Sequence, residues 1–505
     1  IALFPWLAKW VIAFLKKRKV YKEFPSPKKF DANLVVIGAG SAGLVTSYIA
    51  ALTKAKVVLI EKNLMGGDCL NTGCVPSKAL IKSAGVSHLF TRAKEFGVNT
   101  TSYEIDFPAV MQRIKNIINK IAPHDSLERY TELGVECVQG EAKIISPYLV
   151  EIGGKQISTR SIVLATGASP NVPPIPGLVD IDYVTSDTVW NLEDLPKRFL
   201  VVGGGPIGCE LVQAFARLGS EVTQVDVGSK PLPREDEEVS DFILETFKQE
   251  GIKFLGDHQV IGFQKRDGEN QAILKYGENE FTIEFDVALL AIGRKANIRG
   301  FGLEALGLDT TEQGSIKVNE YLQTNFPNIY ACGDVAGPYQ FTHMAAYQAW
   351  YTSINSLFSG FKKFKIDYSI VPWSTFTDPE VARVGCNEKD ANAKGIEYEV
   401  TRYQIDDLDR AITDSEDKGF VKVLTQPGKD KILGVTIVGY HASDLIAEYV
   451  LAMKHGLGLK KILSTIHIYP TLAESNKFVA GEWQKSHAPE WIYPWVEKFH
   501  RWRRK

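Results

Sequence analysis

Six cysteines in 505 residues are too few for a disulfide scaffold, and only Cys69 and Cys74 lie close together. That usage reads as an intracellular chain. Outside that pair, no cysteine or histidine pair has the spacing of a zinc site. Net charge is equally sparse, 58 basic against 60 acidic residues, so no overall field favours nucleic acid. The sequence also lacks low-complexity segments and a starting Met, the latter suggesting a fragment or processed form. No apolar run reaches the ~20 residues of a spanning helix. The nearest, residues 1–15, is interrupted by Pro5 and Lys9 and followed by Lys16, Lys17, Arg18 and Lys19. A secretory signal would put the basic run first. The segment therefore reads as the end of a longer span or as a helix in the membrane interface. As the end of a span, it would leave the body on the cytoplasmic face.

What is present repeats once over a long range. Residues 34–61 run LVVIGAGSAGLVTSYIAALTKAKVVLIE, and residues 199–226 run FLVVGGGPIGCELVQAFARLGSEVTQVD. Each is an apolar β-branched run, a glycine cluster, an amphipathic stretch, a second apolar run and an acid, which makes a βαβ unit twice. The first cluster, Gly38-Ala39-Gly40-Ser41-Ala42-Gly43, is followed by Glu61. The second, Gly203-Gly204-Gly205-Pro206-Ile207-Gly208, is followed by Asp226. In such a unit the first glycine makes the turn and the second admits a pyrophosphate to the helix N-terminus. The third lets helix and strand pack closely, and the acid accepts from a ribose hydroxyl. Two dinucleotides are expected, one the redox donor and the other a bound relay. Asp226 would repel a 2′-phosphate, and Val227, Gly228 and Ser229 offer no arginine; Lys230 is the nearest cation. NADH is favoured over NADPH.

Directly after the first unit comes Gly66-Gly67-Asp68-Cys69-Leu70-Asn71-Thr72-Gly73-Cys74-Val75-Pro76-Ser77-Lys78. Two thiols at this spacing before a helical pattern suit a dithiol/disulfide couple beside a helix N-terminus, which lowers a thiol pKa. Two structural cysteines or half a metal site are the alternatives. Cys137, Cys209, Cys332 and Cys386 read as packing residues.

These residues, GGDCLNTGCVPSK above all, resemble the flavoprotein disulfide reductases, the pyridine nucleotide-disulfide oxidoreductase family, over about residues 32–480. Within that family the chain looks most like the mercuric reductase branch. The resemblance implies an α/β fold with two Rossmann-type dinucleotide-binding domains, for FAD and NAD, and an α+β C-terminal dimerisation domain. It implies FAD on Gly38, Gly40, Ser41, Ala42, Gly43, Glu61 and Lys62, with Gly67, Asp68, Ala142, Thr166 and Gly167 lining the same site. Cys69 would attack substrate and Cys74 would face the flavin. Lys78 would approach the flavin and pair with Glu210. Tyr330-Ala331-Cys332-Gly333-Asp334 resembles the second FAD motif, with Asp334 on the ribityl chain and Met344 and Ala345 near the ring system. Gly203, Gly205, Pro206, Ile207, Gly208, Asp226 and Gly293 would hold NAD. Hydride would pass from NADH to flavin, and electrons onward to the Cys69–Cys74 disulfide and an acceptor.

The implied domains are residues 31–180 for FAD, 181–296 for NAD, 297–370 for a second FAD part and 371–480 for dimerisation. Basic segments flank them at 1–30 and 481–505. Strand-like runs at Ser161–Thr166 and Val287–Ile292 look like returning strands. The alternating runs Gly419–Leu424 and Lys431–Val438, with helical patterns at Ser443–His455 and Leu459–Thr465, point to an antiparallel α+β domain.

The thiol-reducing relatives place a His before Pro470 and a Glu at position 474, a dyad that one subunit supplies to its partner. Here Pro470 and Glu474 stand, but the position holds Tyr469, and His467 lies two residues earlier. A phenol of ordinary pKa ~10 does not relay protons at neutral pH as imidazole does. His467 could replace it only by a shift of ~6–7 Å along an extended segment. Mercuric reductases deliver metal through a C-terminal cysteine pair, and no cysteine follows Cys386. The expected enzyme is a homodimer passing electrons from NADH through FAD and Cys69–Cys74 to a disulfide, metal ion or related small acceptor. A dihydrolipoyl dehydrogenase and a low-turnover redox-sensing flavoprotein are the alternatives.

Six of nine Trp lie toward the ends: Trp6, Trp10, Trp483, Trp491, Trp495 and Trp502. In the last stretch Trp491, Trp495, Phe499 and Trp502 are spaced i, i+4, i+8, i+11 among Arg501, Arg503, Arg504 and Lys505. Trp beside basic residues is the composition of a membrane-interface belt.

Overall fold

The computed structural model describes residues 21–99 and 102–504. The apolar run, Trp6, Trp10 and the basic residues 16–19 lie outside the described residues. The chain divides into two units, Ile1–Val227 with Gly251–Asp367, and Gly228–Glu250 with Tyr368–Lys505.

In the first unit, the opening βαβ consists of the strand Ala32–Ile37, the helix Ser41–Leu52 and the strand Val57–Glu61. Ala32–Ile37 sits centrally, in parallel register with Val57–Glu61 (Val35 opposite Val58) and with Lys155–Leu164 (Val35 opposite Ile162). Val135–Gln139 and Ile329–Ala331 extend the parallel sheet at its two sides. Because both faces are covered, these strands are apolar along their length. Leu34, Val36, Leu59 and Val163 enter one core, and Val35, Ile37, Val58 and Ile162 the other. Lys155–Leu164 is longer than the predicted strand. Its first half pairs antiparallel with Leu149–Ile152, which in turn pairs with Ala142–Ser146.

The second parallel sheet runs in the order Lys253–Leu255, Glu221–Val225, Arg198–Val202, Val287–Leu290, Tyr183–Thr185. The helix Pro206–Arg217 follows its central strand. Two short antiparallel strands, Ala168–Pro170 and Arg294–Ala296, lie just beyond the ends of strands from the two sheets.

The second unit is a five-stranded antiparallel sheet in the order Pro372–Thr375, Glu380–Gly385, Ile432–Gly439, Phe420–Thr425, Glu399–Gln404. Helices Ala442–Lys454, Leu459–Leu463 and Glu474–Ser486 accompany it. Residues 228–250 join this unit although they follow Asp226 in the nucleotide-binding sequence. Lys422, 1% exposed on the wholly buried strand Phe420–Thr425, reaches Asp236 at 2.6 Å, Glu238 at 2.5 Å and Glu388 at 2.9 Å. Arg383 faces Glu235 at 3.2 Å. Trp483, grouped with the terminal belt by its sequence position, is instead a core residue of this unit. Its helix begins at Glu474 and turns that side of the chain inward. Among the described residues no helix is long and apolar enough to cross a membrane.

Candidate functional site

Both glycine clusters fold into the same turn. Gly38 has φ +102° and Gly203 φ +122°, conformations that exclude most side chains. A Cβ on Gly43 would lie 1.8 Å from Gly38 O, and one on Gly208 2.1 Å from Gly203 O, so each helix rests directly on its turn. The helices Ser41–Leu52 and Pro206–Arg217 have no side-chain cap and no acid in the first turn. Their leading N–H groups therefore present partial positive charge to an anion. Glu61 accepts from Ala39 N at 2.6 Å and Asn63 N at 2.7 Å, and Asp226 accepts from Gly204 N at 2.5 Å. Each acid thus stands at the lip of its turn. Gly140 N donates to Glu61 O at 2.8 Å, with Ala142 two residues on, buried at the start of its strand. Lys62 follows Glu61 and is exposed.

The thiols are carried onto the first turn by a close approach. A Cβ on Gly67 would lie 2.7 Å from Gly40 Cα, so the helix Gly67–Asn71, which holds Asp68 and Cys69, begins against the nucleotide turn. Cys74 opens the 18-residue helix Cys74–Thr91, where the helix dipole favours a thiolate. Cys69 is half-buried and Cys74 exposed, and the two share a hydrogen bond. That bond from Cys69, with help from Thr342 and Lys78, lowers Cys74 to about 6, and Cys69 is driven up by the same bond and by burial. The negative charge of the pair therefore resides on Cys74. Lys78, one turn further along, meets Glu210 Oε2 at 2.8 Å. Glu210 is buried on the second nucleotide helix.

From the other side, Thr342 Oγ1 lies 3.3 Å from Cys74 Sγ. Thr342 starts the helix Thr342–Phe358, in which Met344 and Ala345 are buried. Gly333 N donates to Gln348 Oε1 on that helix at 2.6 Å. Burial raises Asp334 to about 6, and its carboxylate accepts no hydrogen bond among the described residues. A half-buried acceptor of this kind fits the hydroxyls of a sugar alcohol. Thr166 and Gly167 bond to Asn297, through Thr166 Oγ1 to Asn297 O at 2.7 Å and Asn297 N to Gly167 O at 3.0 Å. Gly293 O accepts from Asn171 N at 2.9 Å, and a Cβ on Gly293 would meet open space. Arg294, beside it, pairs with Asp68 and donates to Ala168 O at 2.8 Å.

Tyr469, His467 and Glu474 belong to the second unit, and no hydrogen bond joins any two of them among the described residues. Tyr469, 68% exposed, donates to Asp409 Oδ2 at 2.9 Å, and that bond raises its pKa. His467 Nε2 contacts Glu448 at 3.1 Å, and its Nδ1 contacts Thr465 O at 3.0 Å. Glu474 is buried and accepts from Thr471 N at 3.2 Å. Thr342, Arg294 and Asp409 were not picked out from the sequence. Only Thr342 carried a signal, standing two residues before the Met344-Ala345 segment.

Two nucleotide turns serving one dithiol define an FAD-dependent thiol-disulfide oxidoreductase fed by a pyridine nucleotide. The chain belongs to the pyridine nucleotide-disulphide oxidoreductase family, whose model matches residues 32–349, and whose dimerisation domain matches residues 371–479. It is 33% identical to a mercuric reductase of Staphylococcus aureus over 90% of this chain and 83% of that protein. It is 36% identical to the dihydrolipoyl dehydrogenase of Chlamydia muridarum over 87% of this chain and 94% of that protein. Among solved structures it is similar to the HOCl-induced flavoprotein disulfide reductase RclA from Escherichia coli, in its Cu(II) complex. The TM-score there is 0.80 at 26% identity, covering 89% of this chain and 99% of that one. The dimerisation domain makes the homodimer the expected assembly.

Proposed function

We propose that this enzyme uses NADH to reduce a soft divalent metal ion held by the Cys69–Cys74 pair, in preference to disulfide substrates such as lipoamide. The observation that carries the reading is Tyr469, a phenol donating to Asp409 where the thiol-reducing relatives keep a proton-relaying imidazole. Disulfide exchange must protonate a departing thiolate, and the carboxylate beside Tyr469 makes that phenol a still weaker acid. His467 does not take over, because its ring is engaged by Glu448 and Thr465. Uptake of a soft cation binds the Cys74 thiolate, releases the proton of Cys69 to solvent and needs no proton donor. One NADH supplies the two electrons that take such an ion to the element, leaving NAD+ and one net proton, and the pair returns to Cys74 thiolate and Cys69 thiol.

Bound FAD would supply the two-electron relay between nicotinamide and thiols. The N-terminus at Gly40 and Ser41 would hold its pyrophosphate, Glu61 its ribose and Asp334 its ribityl hydroxyls. Cys74 is kept as thiolate by Cys69, Thr342 and Lys78, and Glu210 holds Lys78 in place. Asp226 at the second turn disfavours a 2′-phosphate and so selects NADH. Steady-state NADH oxidation with a panel of acceptors tests this reading. Soft metal ions as thiol complexes should be turned over, and lipoamide and glutathione disulfide should be poor substrates. A dihydrolipoyl dehydrogenase would reverse that order, and a redox sensor would turn over none of them.

A further inference from the structure

The final helix, Tyr493–Arg503, has no buried residue. Trp495, Phe499 and Trp502, spaced i, i+4, i+7, share one face and are 67%, 51% and 69% exposed. Trp491, just before the helix, is exposed as well. A stripe of large aromatics left in water is costly unless something covers it. Its flanks indicate what does. Lys498 extends over the Trp495 ring at 5.3 Å, and Arg503 over the Phe499 ring at 5.9 Å. Both charged ends thus lie against rings of the aromatic stripe, so cations and aromatics share one exposed surface. Arg501 and Arg504 add further positive charge, and Glu497 is engaged by Arg501 at 2.7 Å.

We propose that this helix lies flat in the interface of an anionic phospholipid bilayer, with Trp495, Phe499 and Trp502 among the upper acyl chains and Lys498, Arg501 and Arg503 at the headgroups. Eleven residues of helix span about 16 Å, well short of the ~30 Å hydrocarbon core, so the helix rests on the membrane and does not cross it. Tryptophan bordered by basic side chains is what an aromatic-belt position requires. A second copy of the helix is a poorer occupant. Residues 490–504 hold four cations and two acids, and two such faces would set like charges together. The surface is independent of the acceptor chemistry, which involves none of these residues.

The test is co-sedimentation of the full FAD-loaded protein with phosphatidylcholine vesicles, with and without phosphatidylglycerol. The variants are an aromatic triple, Trp495→Ala, Phe499→Ala and Trp502→Ala, and a charge triple, Lys498→Gln, Arg501→Gln and Arg503→Gln. Residues 1–19 are unchanged in every arm. At about fivefold per cation near the surface, the charge triple should lose about a hundredfold in affinity for the anionic vesicles and little for the neutral ones. The aromatic triple should lose affinity for both. Flavin absorbance and NADH oxidation confirm that each variant is folded. Vesicle affinity that neither triple lowers overturns the proposal. So does an aromatic triple whose sedimenting mass falls to that of a monomer while its vesicle binding stays unchanged, because the stripe is then a subunit contact.

Discussion

Lys78 Nζ lies 2.8 Å from Glu210 Oε2 across 132 residues of sequence, tying the thiol helix to the second nucleotide helix. Lys78 also helps to lower the Cys74 pKa, whereas the buried Glu210 raises it. Removing the cation therefore leaves a buried carboxylate facing a thiolate. Lys78→Met should slow reduction of the enzyme by NADH by about 10²-fold or more in stopped flow, an effect of the order of losing one positioned charged group. Lys78→Arg, which keeps the charge, should be milder. Equal rates in both variants and wild type would remove Lys78 from the mechanism.

The charge on Cys74 should be visible as a pH dependence. A thiol lowered to about 6 is thiolate above that pH and protonated below it. The long-wavelength thiolate-flavin band of the two-electron-reduced enzyme should thus be present at pH 7 and 8 and fade as pH falls through about 6. Cys74→Ser should abolish the band. Because the hydrogen bond from Cys69 is the largest cause of the lowering, Cys69→Ala should move the midpoint upward. The titration belongs to the pair, so its midpoint is macroscopic. A band that survives Cys74→Ser would exchange the roles of the two thiols.

On the proposed reading, Asp226 at the lip of the second turn selects the coenzyme. NADH should give the higher kcat/KM, and Asp226→Ser should narrow the NADH/NADPH ratio by about tenfold by removing one like-charge repulsion. A wild-type preference for NADPH would contradict this account of the second turn.

Stability of the second unit should depend on Lys422. Its three carboxylate partners, Asp236, Glu238 and Glu388, come from two separate stretches of chain. Lys422→Met leaves Asp236 buried without its cation, a change of about 3–5 kcal/mol in cases of this kind. Urea denaturation should show that loss, whereas Lys429→Met, at an exposed turn, should be neutral. Indistinguishable midpoints would mean that the network carries no net stabilisation.

The nucleotide turns and the thiol pair were legible because each is local. Gly38 through Gly43 and Cys69 through Cys74 carry their chemistry within a few residues, and the close approaches at Gly43 and Gly208 have a sequence signature. The strands around Val35 and Leu200 were legible as apolar runs. What escaped is made by distant contacts. Thr342 reaches Cys74 over 268 positions and Arg294 reaches Asp68 over 226, and no spacing rule links such pairs. Residues 228–250 looked like a continuation of the nucleotide domain, because a buried Lys422 partnered by acids resembles any surface lysine in sequence. Trp483 misled for a similar reason: beside basic residues it read as terminal belt, yet its helix turns it into the core.

The most direct test of the central claim is Tyr469→His assayed against both acceptor classes. Replacing a phenol that donates to Asp409 by an imidazole restores a general acid/base worth about 10²–10⁴-fold in proton-dependent steps. The account predicts that wild-type enzyme reduces a soft metal ion well and lipoamide poorly. Tyr469→His should raise lipoamide and glutathione disulfide reduction and leave metal-ion reduction little changed. Wild-type turnover of lipoamide as fast as of any other acceptor, or a Tyr469→His variant no better with disulfides, would contradict it.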